Sequence, residues 1–283
     1  MKQYLLIALI MLVATGLACS LNLNLPRIET GPTETFTIAE SLPAEDTTSN
    51  VTVNMSAGHL NLTGGATGLA EGTIQYNVAE WKPTVIRTGN DLTIRQGLRD
   101  GIEGIPGDDV VNDWSLKLGD APLNLTIKAG AYDGTLDLSG LPLRNLSLSN
   151  GASQAEVTFN SVNPIEMDKL FYQTGASKIN LTGLANANFS EMIFKGGAGN
   201  YTLDFSDQLQ RDATVTITSG VSNMTLMIPS ETAATVSVSG GFNNISTKGP
   251  WTTSGSVYKI DGTDPTLTVN IELGAGNLTL VSQ

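Results

Sequence analysis

The sequence predicts an all-β protein built as a repeat β-solenoid, and three observations predict it. Apolar residues alternate with polar ones along most of the chain after Phe36, as at Val51, Val53 and Met55, at Leu123, Leu125 and Ile127, or at Val215 and Ile217. No stretch beyond the N-terminal segment holds a 3.6-residue apolar period long enough for a helix. A glycine-led motif recurs at nearly constant spacing.

Period two puts the apolar residues on one face of a half-buried strand. Leu60 and Leu62, and Ile74, Tyr76 and Val78, repeat the pattern upstream of the clearest motifs.

The repeat reads "GASQAEV" at Gly151, "GASKINL" at Gly175, "GAGNYTL" at Gly197, "GVSNMTL" at Gly220, "GFNNIST" at Gly241 and "GAGNLTL" at Gly274. Successive glycines are 24, 22, 23, 21 and 33 residues apart; a weaker copy begins at Gly130, and "SAGHLNL" at Ser56 echoes the motif. An alternating strand precedes each glycine and a second follows it, so each unit is one coil of a right-handed β-helix-like stack. The glycines are expected at the corners because a sharp bend often requires positive φ. Asn200, Asn223, Asn244 and Asn277 open the second strands and could bond one another in a ladder. The longer connections, "NSVNPIEMDK" and "SDQLQRD", suit a third side of the coil. An antiparallel meander of stacked hairpins is the alternative.

The N-terminus has the order of an export signal: Lys2, an apolar run from Tyr4 to Val13, then small residues up to Cys19. That run is shorter than the roughly 20 residues of a membrane-spanning helix. "GLAC" resembles the bacterial lipobox, with Cys19 as the lipidated first residue of the mature chain; Gly16 departs from the usual leucine. Ordinary cleavage after Ala18 also satisfies a small-x-small rule. The organisation expected is signal peptide 1–18, tether 19–34, N-terminal β domain 35–115 and β-repeat domain 116–283. A lipid-anchored protein facing outward from the cell membrane or surface follows.

Without residues 1–18 the chain carries 14 basic and 27 acidic residues, a net charge of −13. Such a surface repels nucleic acid. With Cys19 the only cysteine, internal disulfides and thiolate chemistry are excluded. His59 is the only histidine, which excludes a His-rich metal site. A phosphate loop needs Gly-Lys-Ser/Thr opening a helix, whereas "GGAGNYTLDF" at 196–205 opens a strand. A calcium roll needs an aspartate where Tyr201 stands. No catalytic, metal or cofactor site is therefore expected. Asp204 with Asp207, Asp261 with Asp264, or Asp108 with Asp109 could serve a polysaccharide-cutting β-helix enzyme, but neighbouring turn carboxylates more simply solvate turns. Trp81 and Trp114 suit a cap. Trp251, inside the stretched 33-residue unit, is the candidate ligand contact.

The repeat, with "EGTIQYNVAEWKP" at 71–83, resembles the bacterial toast-rack family, which is related to the C-terminal domain of cell-wall-active-antibiotic response proteins and to adhesins with β-helical repeats. The Tyr76-Asn77-Val78 to Trp81-Lys82-Pro83 segment is its most specific part. The resemblance implies a cell-envelope β-repeat domain after a distinct N-terminal β portion, and carries over no catalytic residues. The expected function is a non-enzymatic, adhesin-like scaffold or binding module, with an envelope-stress or cell-wall-antibiotic response component as the alternative. Partners would be the membrane through the lipid, cell-wall polysaccharide or an envelope protein. Weak self-association is expected through "GNLTLVSQ", which ends the chain on a strand with no evident cap.

Overall fold

A computed structural model describes residues 28–43, 47–97 and 107–283. Cys19, the signal segment and most of the tether lie outside these residues. Fifteen strands form one sheet. The N-terminal group is β1 (Glu34–Glu40), β2 (Ser49–Gly64), β3 (Ala70–Tyr76), β4 (Thr84–Thr88), β5 (Asp91–Arg95) and β6 (Asn112–Leu118). The long strands are β7 (Leu123–Asp137), β8 (Leu143–Thr158), β9 (Met167–Thr182), β10 (Phe189–Asp204), β11 (Ala213–Ile228) and β12 (Thr232–Lys248). A hairpin, β13 (Thr252–Ser254) and β14 (Val257–Ile260), precedes the last strand, β15 (Thr263–Ser282).

Strands β2, β7, β8, β9, β10, β11, β15 and β12 are parallel neighbours in that order, which makes the molecule a β-solenoid rather than a meander. Each long strand folds at its corner glycine into two legs. The connections close a third side, whose wall is apolar: Leu138, Leu141, Phe159, Leu184, Phe205 and Leu209 are buried with the inward residues of both legs.

The corner glycines lie above one another, for a reason other than backbone handedness. None of Gly130, Gly151, Gly175, Gly197, Gly220, Gly241 and Gly274 has positive φ. Each instead presses on the carbonyl one layer away: a Cβ on Gly175 would sit 2.4 Å from the Gly151 oxygen, and one on Gly197 2.5 Å from that of Gly175. A side chain at any layer would force two backbones apart. The neighbouring glycines of "GGAGNYTLDF" have other roles, since a Cβ on Gly196 would meet the Tyr201 ring at 2.5 Å. Inside, that ring meets Phe194 edge-on at 5.1 Å, and Phe194 stacks on Tyr172 at 5.5 Å.

Both ends depart from the simple repeat. The first leg of β2 pairs with β5 and the second with β6, so two separate strands make the layer below it. Antiparallel β4, β3 and β1 finish that end. Asn77 is its clasp: it donates to the Asp109 carbonyl at 2.7 Å and accepts from the Val111 amide at 2.8 Å. Because β2 stacks in register on β7, the column of coils runs across residue 115, which lies within β6.

At the other end, the expectation of an unpaired C-terminal strand is corrected. β15 is inserted between β11 and β12, and is bonded on both sides. The first leg of β12 is covered by β14. Among the described residues the short strand β13 is open at this end, and the longer open edge is instead the second leg of β12. It is broken by register shifts around Phe242 and ends in Lys248, Gly249 and Pro250, features that discourage edge pairing.

Candidate binding face

Outward residues of the second legs line up because every layer shares one register. The first row runs Asp113, His59, Asp133, Gln154, Lys178, Asn200, Asn223, Asn277 and Asn244. Beside it run Ser115, Asn61, Thr135, Glu156, Asn180, Thr202, Thr225, Thr279 and Ser246. At about 4.8 Å per layer the face is roughly 38 Å long. Every side chain of these two rows is polar; an outward row beside them, at the corner, is apolar, with Ala198, exposed Val221 and Ala275.

The two halves of the face differ chemically. Towards β12 the first row is amide: Asn223 donates to Asn200 at 3.1 Å, and Asn277 to Asn223 at 2.7 Å. A second amide ladder, Asn145 to Asn124 to Asn50 at 3.0 and 2.8 Å, ends on Asp91 at 2.7 Å on the first legs. The other half is charged. His59 Nδ1 lies 2.7 Å from Asp113 and its Nε2 3.8 Å from Asp133. These residues, with Gln154, Glu156 and Lys178, line an open depression of about 490 Å³. The imidazole is 69% exposed, so water competes with both carboxylates.

Below the depression, Trp114 is buried and its indole donates to Asn112 at 2.8 Å; Asn112 in turn donates to Gln96 at 3.0 Å. Trp81 is also buried, and both indoles belong to the N-terminal end rather than to an exposed stacking platform. Trp251 packs partly against the core and donates to the Lys248 carbonyl at 3.1 Å. The stretched unit around it is the β13–β14 hairpin, laid back on β12.

Members of the carboxylate pairs make structural hydrogen bonds. Asp204 accepts from the Ser206 amide at 2.8 Å and from its hydroxyl. Asp207 accepts from Asn186 at 2.7 Å, and Asp109 from Thr30 at 2.9 Å. Among the described residues, no group of three or more His, Cys, Asp or Glu could hold a metal ion. No helix among them is long and apolar enough to cross a membrane.

Two sets of side chains have no distinctive signal in the sequence. On the third side, buried Asn163 donates to Leu143 at 2.7 Å and Ala187 at 3.3 Å, and Asn186 donates to Phe159 at 2.9 Å, so asparagines brace successive turns. Inside the corner, the Tyr172 hydroxyl accepts from Asn150 at 3.2 Å, while Ser153 donates to Asn150 at 2.9 Å. Burial pushes the Tyr132 phenol up to about 12 and raises that of Tyr172 as well.

These features define a β-solenoid with one long polar face, capped by strands at its N-terminal end. Residues 28–168 match the N-terminal domain of toast_rack, DUF2154, and this part of the chain is a toast-rack domain. Among solved structures, the chain is similar to a candidate cell adhesion protein from Clostridium sporogenes, with 17% identity, TM-score 0.46, and 89% of this chain and 99% of that chain covered. A candidate adhesin from Bacteroides fragilis aligns at 11% identity and TM-score 0.44, covering 88% and 96%. A candidate lipid binding protein from Parabacteroides distasonis aligns at 14% and 0.45, covering 89% and 99%. No curated protein matches the chain.

Proposed function

We propose that this protein is a non-enzymatic binding module of the cell envelope, held outward by a lipid on Cys19, and that its second-leg face meets cell-wall polysaccharide. One observation carries the reading: two polar rows stay in register across nine layers, offering donors and acceptors at the regular step of the sheet. A polymer of repeating hydroxyl-bearing units matches such a face better than a compact ligand does, since each layer repeats nearly the same contact. The structural hydrogen bonds of Asp204, in its own turn, and of Asp207, to Asn186 of the preceding coil, support a role without catalysis.

Co-sedimentation of the soluble chain from residue 28 with insoluble polysaccharides (peptidoglycan, chitin, cellulose) tests this reading. Binding to at least one, weakened several-fold by Gln154→Ala with Lys178→Glu, is expected. Release of soluble sugar from the pellet, or no binding to any of them, overturns it. Metabolic labelling with a fatty acid, lost in Cys19→Ser, tests the anchor.

A further inference from the structure

The spacing of the repeat would place β12 directly on β11, since Gly241 follows Gly220 by 21 residues. In the structure β15 holds that position, 54 residues after β11 in sequence at the paired corners Gly220 and Gly274. The inward residues of the two strands are nearly equivalent: Val215 faces Val269, which faces Val236, and Ile217 faces Ile271, which faces Val238. The slot is therefore a general one for a parallel strand with this pattern. What directs β15 into it is a short crossing.

β14 lies on one edge of β12 and β15 on the other, and only Asp261 and Gly262 join them. Gly262 passes over the start of β12 so closely that a Cβ there would lie 2.3 Å from the Thr232 carbonyl carbon and 2.4 Å from the Ala233 nitrogen. Beyond it, the Thr263 amide donates to Glu231 at 2.8 Å and the Thr266 amide to Asp212 at 2.8 Å. β14 itself is held on β12 by four paired positions, so the hairpin can open with β15 and lengthen the hinge.

From this geometry we infer that β15 is an exchangeable strand: the slot between β11 and β12 of one molecule accepts β15 of a second copy of the chain. Every contact made by β15 is preserved in the exchange, because the partner's strand has the same sequence and enters in the same register. Only the hinge changes. A single strand carried on a short, tight connector is an arrangement that invites swapping.

Asn223 and Asn277 supply the test, since their side chains bond outside the core at 2.7 Å. Two full-length chains, both Cys19→Ser, carry Asn223→Cys or Asn277→Cys, and are denatured, mixed and refolded at high concentration. Neighbouring parallel strands hold such pairs within disulfide reach. Exchange gives a mixed disulfide of twice the monomer mass, absent when each chain is refolded separately. The double variant in one chain, expected to close an internal disulfide, verifies the geometry. Gly262→Ala in both chains should increase the dimer fraction several-fold. If the double variant closes internally while the mixture with the native hinge yields only monomers, exchange is refuted, whether or not Gly262→Ala folds.

Discussion

Asn277 donates a 2.7 Å hydrogen bond to Asn223, 54 residues earlier in the chain, while Asn244 occupies the layer beyond. The outward amides thus follow the stacking of coils and not their order of synthesis. Side-chain chemistry along this wall is set by position in the stack.

The corner column makes a steric prediction. Gly175→Ala places a methyl group 2.4 Å from the Gly151 carbonyl oxygen, against backbone that has no rotamer with which to retreat. A loss of about 1–3 kcal/mol is expected, as for an overpacked core. Gly31→Ala, whose Cβ would have its nearest neighbour at 3.7 Å, should be close to neutral. Denaturant titration of both variants checks the contrast.

Removing the clasp should loosen the N-terminal end first. Asn77→Ala leaves the Val111 amide and the Asp109 carbonyl without this partner, at about 1 kcal/mol because both sites are partly open to water. Amide exchange of β3 and β6 should quicken more than that of β10. Equal acceleration throughout would contradict a local clasp.

Alkali should destabilise the fold through its buried tyrosines, Tyr76 and Tyr132 among them. Burial pushes the Tyr132 phenol up to about 12, and burial with the Glu34 carboxylate does the same for Tyr76. An unfolded tyrosine releases its proton near pH 10, so above that point the unfolded chain binds fewer protons and stability falls with pH. The contribution is full below pH 10 and is lost on the way to about pH 12. Thermal melts from pH 8 to 12 should show the decline. Tyr132→Phe, which cannot ionise, should flatten part of it.

Asp204→Ala should act on folding alone. The carboxylate holds the Ser206 amide in a turn, so its removal should cost about 1 kcal/mol of stability. Polysaccharide binding by the folded variant should be unchanged.

How much of this was legible in the sequence follows from which contacts are local. Alternation at Val215 and Ile217, and glycines near a 22-residue period, are properties of one coil, and the coil is what repeats; the β-solenoid was visible from them. The reason for the glycines was not, because a carbonyl of the next layer is 22 or so residues away and period alone does not distinguish a clash from a positive φ. The place of β15 was hidden for a similar reason. Gly241 and Gly274 carry similar motifs, and neither motif says which of them follows Gly220; the close passage of Gly262 over Thr232 appears only once the strands are stacked. The pairing of His59 with Asp113 and Asp133 required knowing that β2 lies between β6 and β7. The asparagines of the third side, Asn163 and Asn186, resemble any other loop asparagine until their turns are stacked.

The order β11, β15, β12 also changes what a premature stop codon does. In a stack laid down in sequence, a chain ending before Thr263 would lack its outermost coil and keep every other one intact. Here such a chain loses a middle layer, and the residues already synthesised on either side of the gap are left facing each other without the strand that joined them.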